Sequence, residues 1–301
     1  VDYLKIPATN DIRTSKDILT ESIQAYESYS RGSREMIMGN FEAASLFFKK
    51  ATEFDETFAM AYLTIQGAYF LSNQGDKGVE VLKKTMQYIY RLPERFHYIA
   101  KVSYFRLRGQ PERANRVMEN HLKQFPRDLD GIQLNIQLQM SGGDFEGLLE
   151  SYSKILEIDP SRYDIYLEIG NAYRRFLDNN EKAIEAYNKY VEYFPNDSKG
   201  YHSLSKAYGK LGDKDKQRDN LDMTTILDPT NIEAELELIS LDYDGTEQIE
   251  KHRNLLSDCN SPSDSIQVYD KIENELREYG MYTEAIKTWK KTEKMKKTHE
   301  N

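Results

Sequence analysis

The stretch DPSRYDIYLEIGNAYRRFLDNNEKAIEAYNKYVEYFP, residues 159–195, runs from one proline turn to the next and decides the fold. The same turn signal occurs before it at Phe125-Pro126 and after it at Asp228-Pro229. Successive prolines are therefore 34, 35 and 34 residues apart (160 − 126, 195 − 160 and 229 − 195). A period of this length is typical of stacked helix pairs rather than of a single globular core. The sequence thus predicts a repeat protein that functions by binding a ligand or partner on its surface.

A bulky residue recurs with the same period along almost the whole chain. Its eight positions are Phe48, Leu82, Met118, Tyr152, Tyr187, Leu221, Leu255 and Trp289. Four residues before each lies a position that is small in most repeats: Ala44, Gly78, Ala114, Ala183 and Ala285, with Leu148, Gln217 and Lys251 as exceptions. Residues i and i+4 share one helix face, so the small residue allows a close approach and the bulky one fills the gap. Several repeats carry a further small residue upstream, which predicts a second helix packed against the first: Gly32, Ala100, Gly170 and Ser205.

The pattern resembles the tetratricopeptide repeat, a helix-turn-helix unit with small residues at the helix crossing and a closing proline. The match is carried by Ile169-Gly170-Asn171-Ala172-Tyr173, by Glu181-Lys182-Ala183-Ile184-Glu185-Ala186-Tyr187 and by Phe194-Pro195. The resemblance implies an all-α fold, a right-handed superhelical solenoid of about eight such units.

The same resemblance predicts the organisation of the chain. An extended lead-in covers residues 1–15, a single solenoid covers residues 16–301, and the last helix caps it. The repeat units are expected to begin near Ala25, Ala59, Pro93, Leu129, Tyr163, Ser198, Ile232 and Ile266. The unit from Ile232 is the weakest, because Lys251 and His252 stand where the family has small and apolar residues, so irregular packing is expected there.

A second resemblance covers the start of the repeats. The segments Gly39-Asn40-Phe41-Glu42-Ala43-Ala44, Phe47-Phe48-Lys49-Lys50-Ala51 and Phe58-Ala59-Met60-Ala61-Tyr62 look like the entry to the repeat region of bacterial signalling proteins. Those proteins include serine/threonine kinases, nucleotide cyclases and membrane-spanning transcription activators, in which an effector domain precedes the repeats. The resemblance implies that the chain is one region of a longer polypeptide.

Composition and charge agree with a repeat protein. The chain has 301 residues, of which 39% are hydrophobic and 30% charged, which is typical of ordered proteins that lie outside the membrane. No apolar run approaches the roughly 18 residues needed to span a bilayer. The single cysteine, Cys259, excludes an internal disulfide framework and leaves the compartment open, with the cytoplasm slightly favoured. The formal charge of −9 argues against nucleic acid as the main ligand, because phosphate contact requires a concentrated basic face.

No constellation of catalytic or metal-binding residues is visible in the sequence. The five histidines are His97, His121, His202, His252 and His299, and none stands in an H-E-x-x-H pair or beside a cysteine at metal spacing. The sequence also lacks a G-x-x-x-x-G-K-[ST] phosphate loop, a G-x-G-x-x-G turn and a G-x-S-x-G elbow. It therefore predicts a protein that is not an enzyme and has neither a cofactor nor a metal site.

The resemblance also implies which side chains line the groove. In the family, the first helix of each unit lines the concave face, and fixed positions along the unit point into it. In the first three units these positions are mostly apolar or aromatic: Tyr26, Tyr29, Met36, Ile37, Met60, Leu63, Phe70, Leu71, His97, Lys101, Tyr104 and Phe105. In the fifth and sixth units they are mostly basic: Leu167, Asn171, Arg174, Arg175, Lys199, His202, Lys206 and Lys210.

This contrast predicts a protein or peptide partner, an extended segment with apolar anchors at one end and carboxylates or other anions toward the other. Aromatic and methionine side chains supply contact area, and an arginine can bind a carboxylate through two hydrogen bonds. Two plainer readings stay open. The aromatic positions can pack against the next unit or under the lead-in, and the cations can pair with acidic neighbours such as Asp164, Glu168 and Asp178. The family's clamp for chaperone tails is absent as a set, because Leu167 and Lys206 stand at two of its positions.

Three functions follow from the sequence. The favoured one is a non-catalytic protein-protein interaction scaffold that holds its partner in the concave groove. The second is the sensory or regulatory region of a larger bacterial signalling protein, a kinase or a transcription regulator. The third is a self-assembling scaffold, a homo-oligomer in which the terminal helix or the lead-in of one molecule occupies the groove of another.

Overall fold

The structure, a computed structural model, describes residues 20–72 and 74–299. The lead-in predicted at residues 1–15 lies outside these ranges. The described part of the chain contains sixteen α-helices and no strand, which confirms the all-α repeat fold.

The chain forms two compact bodies, the N-terminal body Val1–Asp144 and the C-terminal body Phe145–Asn301. The described helices of the N-terminal body are α1 (Ile23–Ile37), α2 (Phe41–Phe54), α3 (Ala59–Leu71), α4 (Gly75–Gln87), α5 (Glu94–Leu107), α6 (Pro111–Gln124) and α7 (Leu129–Gly142). Those of the C-terminal body are α8 (Phe145–Ile158), α9 (Ile165–Arg175), α10 (Asn180–Tyr193), α11 (Ser198–Leu211), α12 (Lys214–Leu227), α13 (Ile232–Asp242), α14 (Gly245–Leu255), α15 (Pro262–Glu278) and α16 (Tyr282–His299).

Within each body, every helix packs on the next helix in sequence. In the C-terminal body, α9 also contacts α11 and α13 contacts α15, so first helices of successive repeats lie side by side. Contacts that stay between neighbours in sequence are what distinguishes a solenoid from a globule with one central core.

The start of α15 differs most from its predicted position, because it begins at Pro262 rather than near Ile266. Proline is favoured in the first turn of a helix, where its missing N–H costs nothing. Ser261 caps this helix: its Oγ accepts a hydrogen bond from the Asp264 N–H at 3.1 Å, and the Asp264 carboxylate accepts one from the Ser261 N–H at 3.0 Å. This capping box stabilises one additional turn at the N-terminus of α15.

Each of the four regularly spaced prolines stands two residues beyond the end of a helix. These helices are α6, α8, α10 and α12, which end at Gln124, Ile158, Tyr193 and Leu227. A proline disfavours helical backbone angles in the residue before it, so the helix ends there. The proline period in the sequence is therefore the period at which second helices end.

The turns after these prolines are closed by hydrogen bonds of two kinds. In an Asp-Pro turn, Asp159 Oδ1 accepts a hydrogen bond from the Ser161 N–H at 3.0 Å. In a Phe-Pro turn, the Tyr190 hydroxyl on α10 donates to Asp197 Oδ2 at 2.6 Å. Both arrangements fix the direction in which the next helix starts.

The bulky residues form the packing between the helices of the repeats. Seven of the eight are buried, namely Phe48, Leu82, Met118, Tyr152, Tyr187, Leu221 and Leu255. Trp289, on α16, is 46% exposed. The glycines that face two of these residues have no space for a side chain. A β-carbon on Gly32 would lie 2.7 Å from the Phe48 ring, and one on Gly170 only 2.3 Å from the Tyr187 ring. Each glycine therefore sets how closely its two helices approach.

The repeat that begins at Ile232 carries two buried polar side chains, Gln248 and His252, which contact a third, Glu275, on α15 of the following repeat; we call these three residues the buried triad. His252 is fully buried, with Nδ1 2.8 Å from Glu275 Oε2 and Nε2 3.3 Å from the Leu236 carbonyl oxygen. Gln248 Nε2 donates to Glu275 Oε1 at 2.9 Å. A hydrogen-bonded polar cluster thus replaces the apolar contact that the family has at this position.

Asp55 gives the N-terminal body a pH-dependent contribution to stability. Partial burial acts to raise its pKa, but hydrogen bonds from Thr20 and Thr57 outweigh burial and hold the pKa below its ordinary value. A carboxylate with a lowered pKa stabilises the folded state above the unfolded pKa of about 3.9, and the contribution is lost as the pH falls through the lower folded pKa.

We therefore expect wild type to have a higher urea midpoint than Asp55→Asn at neutral pH, and the difference to shrink on acidification through the folded pKa. Asparagine keeps one acceptor oxygen for Thr57 but replaces the oxygen that accepts from Thr20 by an amide nitrogen, so the change of the difference with pH, and not its size at one pH, reports the charge. Far-UV circular dichroism of urea unfolding at several pH values measures it. A difference that grows on acidification would contradict the sign of the shift.

Candidate functional site

Three of the groove residues predicted in the N-terminal body belong to its core. Met60 and Leu63 are buried. The Tyr29 ring packs against the rings of Phe48 and Phe58, with centroids 5.3 Å and 5.1 Å away, and burial raises its pKa far above the ordinary value. These side chains pack within the body and stabilise the fold, and they offer little surface to a partner. Packing of this kind is one of the alternatives that the sequence leaves open for the groove positions.

Three others of this body are only partly available to a partner, namely Met36, His97 and Tyr104. Met36 is half-buried and packs against a core cluster. His97 Nε2 lies 3.0 Å from the Leu92 carbonyl oxygen. The Tyr104 hydroxyl accepts a hydrogen bond from Arg108 Nη1 at 2.6 Å, while Lys101 is exposed.

Only two of the predicted aromatic groove residues in this body are strongly exposed, Tyr26 at 55% and Phe70 at 70%. A single exposed aromatic residue is common on protein surfaces and does not by itself mark a binding site. Ile37, a predicted aliphatic groove residue, is 69% exposed, so three of the predicted apolar or aromatic groove residues of this body present most of their surface to solvent.

In the C-terminal body, the buried Tyr187 hydroxyl holds two of the predicted groove residues on α9. It donates a hydrogen bond to Asn171 Oδ1 at 3.0 Å and accepts one from Arg174 Nε at 3.3 Å. Burial raises the pKa of Tyr187, against the opposing effect of Arg174, so the hydroxyl is neutral and can serve as donor and acceptor at once. Asn171 Nδ2 and the terminal nitrogens of Arg174 have no other hydrogen-bond partner in the described part of the chain.

Three further cations lie on the same pair of first helices. Arg175 on α9 and Lys199 and Lys210 on α11 are exposed. Among residues 20–72 and 74–299, no side chain forms an ion pair with any of the three. Their charges are therefore available to a ligand, in a chain whose formal net charge is −9.

Lys206 on α11, another of the predicted groove residues, is already paired within the chain. Its Nζ lies 2.8 Å from Glu233 Oε1 on α13. This is the pairing with an acidic residue that the sequence leaves open for the groove cations, but Glu233 is not one of the acidic neighbours predicted from it. Burial acts to raise the pKa of Glu233, but the hydrogen bond and charge of Lys206, with the charges of His202 and Arg174, bring it below the ordinary value. Glu233 is consequently ionised at neutral pH, and the basic surface ends at α11.

His202, the last of the predicted groove residues, faces the same carboxylate. Its Nε2 lies 4.0 Å from Glu233 Oε2 and 3.8 Å from Glu237 Oε1. The imidazole of α11 and two carboxylates of α13 thus converge on one point, although the sequence separates them by about one repeat.

Glu233 and Glu237 are functional candidates that the groove positions of the sequence do not include. Those positions cover five of the eight repeats, and the repeat from Ile232 is not among them. The position after Ile232 is a groove position by the same count, so the periodicity is a signal that could have found Glu233. Glu237 follows from it, because residues i and i+4 of a helix share a face.

The hydroxyl of Tyr187 offers a direct test of the α9 arrangement. Tyr187→Phe keeps the ring against Gly170 but removes both hydrogen bonds, so we expect a loss of about 1–3 kcal/mol in the free energy of unfolding of the C-terminal body. Urea unfolding monitored by the fluorescence of Trp289, the single tryptophan of the chain, reports on this body. As a control, Tyr201→Phe removes an exposed hydroxyl that reaches the Pro195 carbonyl at 3.2 Å, and it should cost less. Equal losses in both variants would show that the Tyr187 hydroxyl does not organise α9.

Comparison with known proteins finds a tetratricopeptide repeat at α9 and α10, the helices that carry Asn171, Arg174 and Tyr187. The sequence profile of this repeat matches residues 164–197, which cover α9 and α10. A protein named STIP1 homolog from Dictyostelium discoideum is 30% identical over 103 residues, which are 34% of this chain and 18% of that protein. This chain therefore matches less than one fifth of the length of that relative.

Among solved structures, a chain of the APC/C hetero-tetramer Cut9-Hcn1 superposes with a TM-score of 0.54 at 16% identity, covering 73% of this chain and 43% of that chain. The crystal structure of MamA gives a TM-score of 0.41 at 24% identity, covering 54% of this chain and 94% of that one. The first likeness shows a shared helical repeat fold. Among the described residues, no helix is both long and apolar enough to cross a bilayer.

Proposed function

Because this chain is a tetratricopeptide-repeat protein, we propose that it is a non-catalytic scaffold that holds an extended acidic protein segment against α9 and α11 of its C-terminal body. Tetratricopeptide repeats are in general protein-protein interaction scaffolds. The observation that carries the proposal is the Tyr187 hydroxyl, which fixes Asn171 and Arg174 while leaving their remaining donors to a ligand.

The donors on α9 suit a carboxylate. An arginine whose Nε is held by the protein still presents its two terminal nitrogens, and hydrogen bonds from a guanidinium to a carboxylate are among the stronger ones in proteins. Asn171 Nδ2 adds a neutral donor beside them. Since Tyr187 is buried and fixed by packing, little conformational freedom is lost at these side chains on binding.

The surrounding charges favour the same class of partner. Arg175, Lys199 and Lys210 add three positive charges that no described acidic residue neutralises. They attract an acidic segment and orient it, whereas the net negative charge of the chain repels it elsewhere. Because Lys206 is paired with Glu233, the acidic part of the segment ends at α11.

A selection from random peptides tests the proposal even though the partner protein is unidentified. Short random peptides are selected on the tag-free chain, and their dissociation constants are measured by fluorescence polarisation. We expect the selected peptides to be rich in aspartate and glutamate. Arg174→Ala combined with Arg175→Ala should weaken their binding by about tenfold to 100-fold, since charge-assisted hydrogen bonds contribute about 1.5–3 kcal/mol. The variant should also flatten the salt dependence of binding.

Two further variants test whether the binding depends on the donors of α9 or only on the overall charge of the chain. Asn171→Asp keeps the acceptor for Tyr187 but replaces the Nδ2 donor by an anion, so it should weaken acidic peptides more than neutral ones. Lys154→Ala combined with Lys214→Ala removes the same charge from the second helices α8 and α12, and it should leave affinity nearly unchanged. Selected peptides without acidic residues, or equal losses in the two double variants, would refute the proposal.

A further inference from the structure

The cluster of His202, Glu233 and Glu237 contains a polar atom without a partner. His202 Nε2 is buried and makes no hydrogen bond with any described residue, and only 13% of its side chain is exposed. It faces Glu233 Oε2 at 4.0 Å and Glu237 Oε1 at 3.8 Å, and the three atoms all lie within 4.8 Å of one another. A buried nitrogen without a hydrogen bond is costly, so something that these atoms share is expected between them.

We propose that His202, Glu233 and Glu237 bind a divalent first-row transition-metal ion, with zinc as the ion to test. Zinc binds imidazole nitrogen at about 2.0–2.1 Å and carboxylate oxygen at about 2.0–2.2 Å. Tetrahedral ligand atoms around such an ion are about 3.4 Å apart. The two histidine–glutamate separations of 3.8 Å and 4.0 Å, and the separation of at most 4.8 Å between the two carboxylates, shorten to this value when the glutamate side chains rotate toward a common ion.

The three donors are suited to such an ion in number and type. Imidazole favours zinc, copper, iron and nickel over calcium or magnesium, and the two carboxylates supply the negative charge that a divalent ion needs. Three protein ligands leave a fourth position for water, as in open zinc sites. Glu233 and Glu237 also line a cavity of about 350 Å³ between α13 and α15.

Lys206 positions one of the ligands rather than blocking the site. It holds Glu233 through Oε1 at 2.8 Å, which leaves Oε2 directed toward His202. Hydrogen bonds of this kind to the second oxygen of a ligating carboxylate are common in metal sites and fix its orientation. The positive charge of Lys206 lowers the affinity for a cation, but the two carboxylates outnumber it.

A proton on His202 Nε2 is the competing occupant of this space. Such a proton would restore attraction to both carboxylates, but the distances of 3.8 Å and 4.0 Å exceed those of hydrogen bonds. An ion at the centre contacts all three atoms at once. The two possibilities differ in a measurable way, because only one of them binds metal.

Isothermal titration of zinc chloride into the full, tag-free chain tests the site, with no peptide or protein partner present. We expect one zinc ion per chain at the site. His202→Ala, and separately the isosteric Glu237→Gln, should each weaken binding by at least about tenfold. His97→Ala is the matched control, because the only hydrogen bond of this histidine among the described residues is with the Leu92 carbonyl, and it should leave the affinity unchanged.

Cobalt substitution gives a second readout that does not depend on affinity. Cobalt in a site of low coordination number absorbs visible light more strongly than hydrated cobalt, and this absorption should vanish in His202→Ala. Circular dichroism checks that each variant is folded, and Glu237→Gln keeps the test valid if His202→Ala is not. Absence of zinc binding in wild type, or equal affinity in wild type and both site variants, would overturn the proposal. Since the titration contains no partner, its failure leaves the proposed peptide surface untouched.

Discussion

Replacing Glu275 by alanine is expected to lower the free energy of unfolding of the C-terminal body by about 3–5 kcal/mol. Glu275 is buried and accepts hydrogen bonds from Gln248 Nε2 at 2.9 Å and from His252 Nδ1 at 2.8 Å. Without the carboxylate, two buried donors lose their acceptor at once, and neither can reach bulk water. Urea unfolding followed by Trp289 fluorescence and far-UV circular dichroism measures the loss.

An exposed ion pair in the same body provides the control. Arg253 Nη2 lies 2.8 Å from Glu284 Oε2, and the two side chains are 50% and 46% exposed. Because solvent screens this pair, Glu284→Ala should cost less than about 1 kcal/mol. Similar losses in Glu275→Ala and Glu284→Ala would show that burial of the triad contributes nothing.

Replacing the whole buried triad shows why Glu275→Ala is destabilising. It separates the effect of polar groups left unpaired in the core from the effect of a lost side-chain contact. Leucine at Gln248, His252 and Glu275 together removes donors and acceptor alike and restores the apolar packing that the family has in this region. Such replacements of buried ionic clusters are often neutral or stabilising. We therefore expect the triple variant to be clearly more stable than Glu275→Ala alone.

The second large effect is expected at Gly170. Alanine there would place its β-carbon 2.3 Å from the Tyr187 ring, closer than packed atoms approach. The helix must move or the ring must leave its rotamer, at a cost of about 1–3 kcal/mol. After subtraction of the gain of about 1 kcal/mol that alanine normally brings over glycine within a helix, the net loss is up to about 2 kcal/mol. The chemical denaturation of Gly170→Ala should therefore shift to lower urea concentration.

Gly78 is the matched control for Gly170. A β-carbon at this position would meet only Gln66 Cγ, at an ordinary contact distance of 3.6 Å. Gly78→Ala should consequently stabilise the N-terminal body by up to about 1 kcal/mol, as read by circular dichroism.

A double variant locates the source of the Gly170 effect. In a Tyr187→Leu background the ring is absent, so Gly170→Ala should become neutral or stabilising by up to about 1 kcal/mol, and the interaction energy of the cycle measures the steric contact. A loss that is the same with and without the ring would mean that another neighbour restricts this position.

Several structural features are accessible to sequence interpretation because they depend on residues within one repeat. The proline period marks where second helices end, and proline acts on the residue directly before it. The small residue Gly170 predicts that a second helix packs closely against the one that carries Tyr187, although the contact between these two residues is seen only in the structure. In a solenoid such local rules repeat, so a period in the sequence becomes a period in the structure.

The candidate site is predictable only in part, because its residues interact across repeats. Asn171 and Arg174 can be placed on a groove-facing helix by counting, but their common bond to Tyr187 depends on how far that ring reaches between α9 and α10. Tyr29 and Met60 are groove residues by the same count and lie in the core, because a first helix also packs on the helices beside it and part of its concave side is covered.

By itself, the sequence determined the class of this protein: an all-α repeat, with its helix ends, its turns and the glycines at its helix crossings, since each of these depends on backbone preferences and on neighbours a few residues away. Only the tertiary structure decided which charges of the groove are available. Lys206 is neutralised from the following repeat, Arg175 is not, and His202 meets two carboxylates of α13. The physical reason is that an ion pair or a ligand set depends on distances of a few ångströms between side chains of different helices, and no periodicity in one dimension specifies those distances.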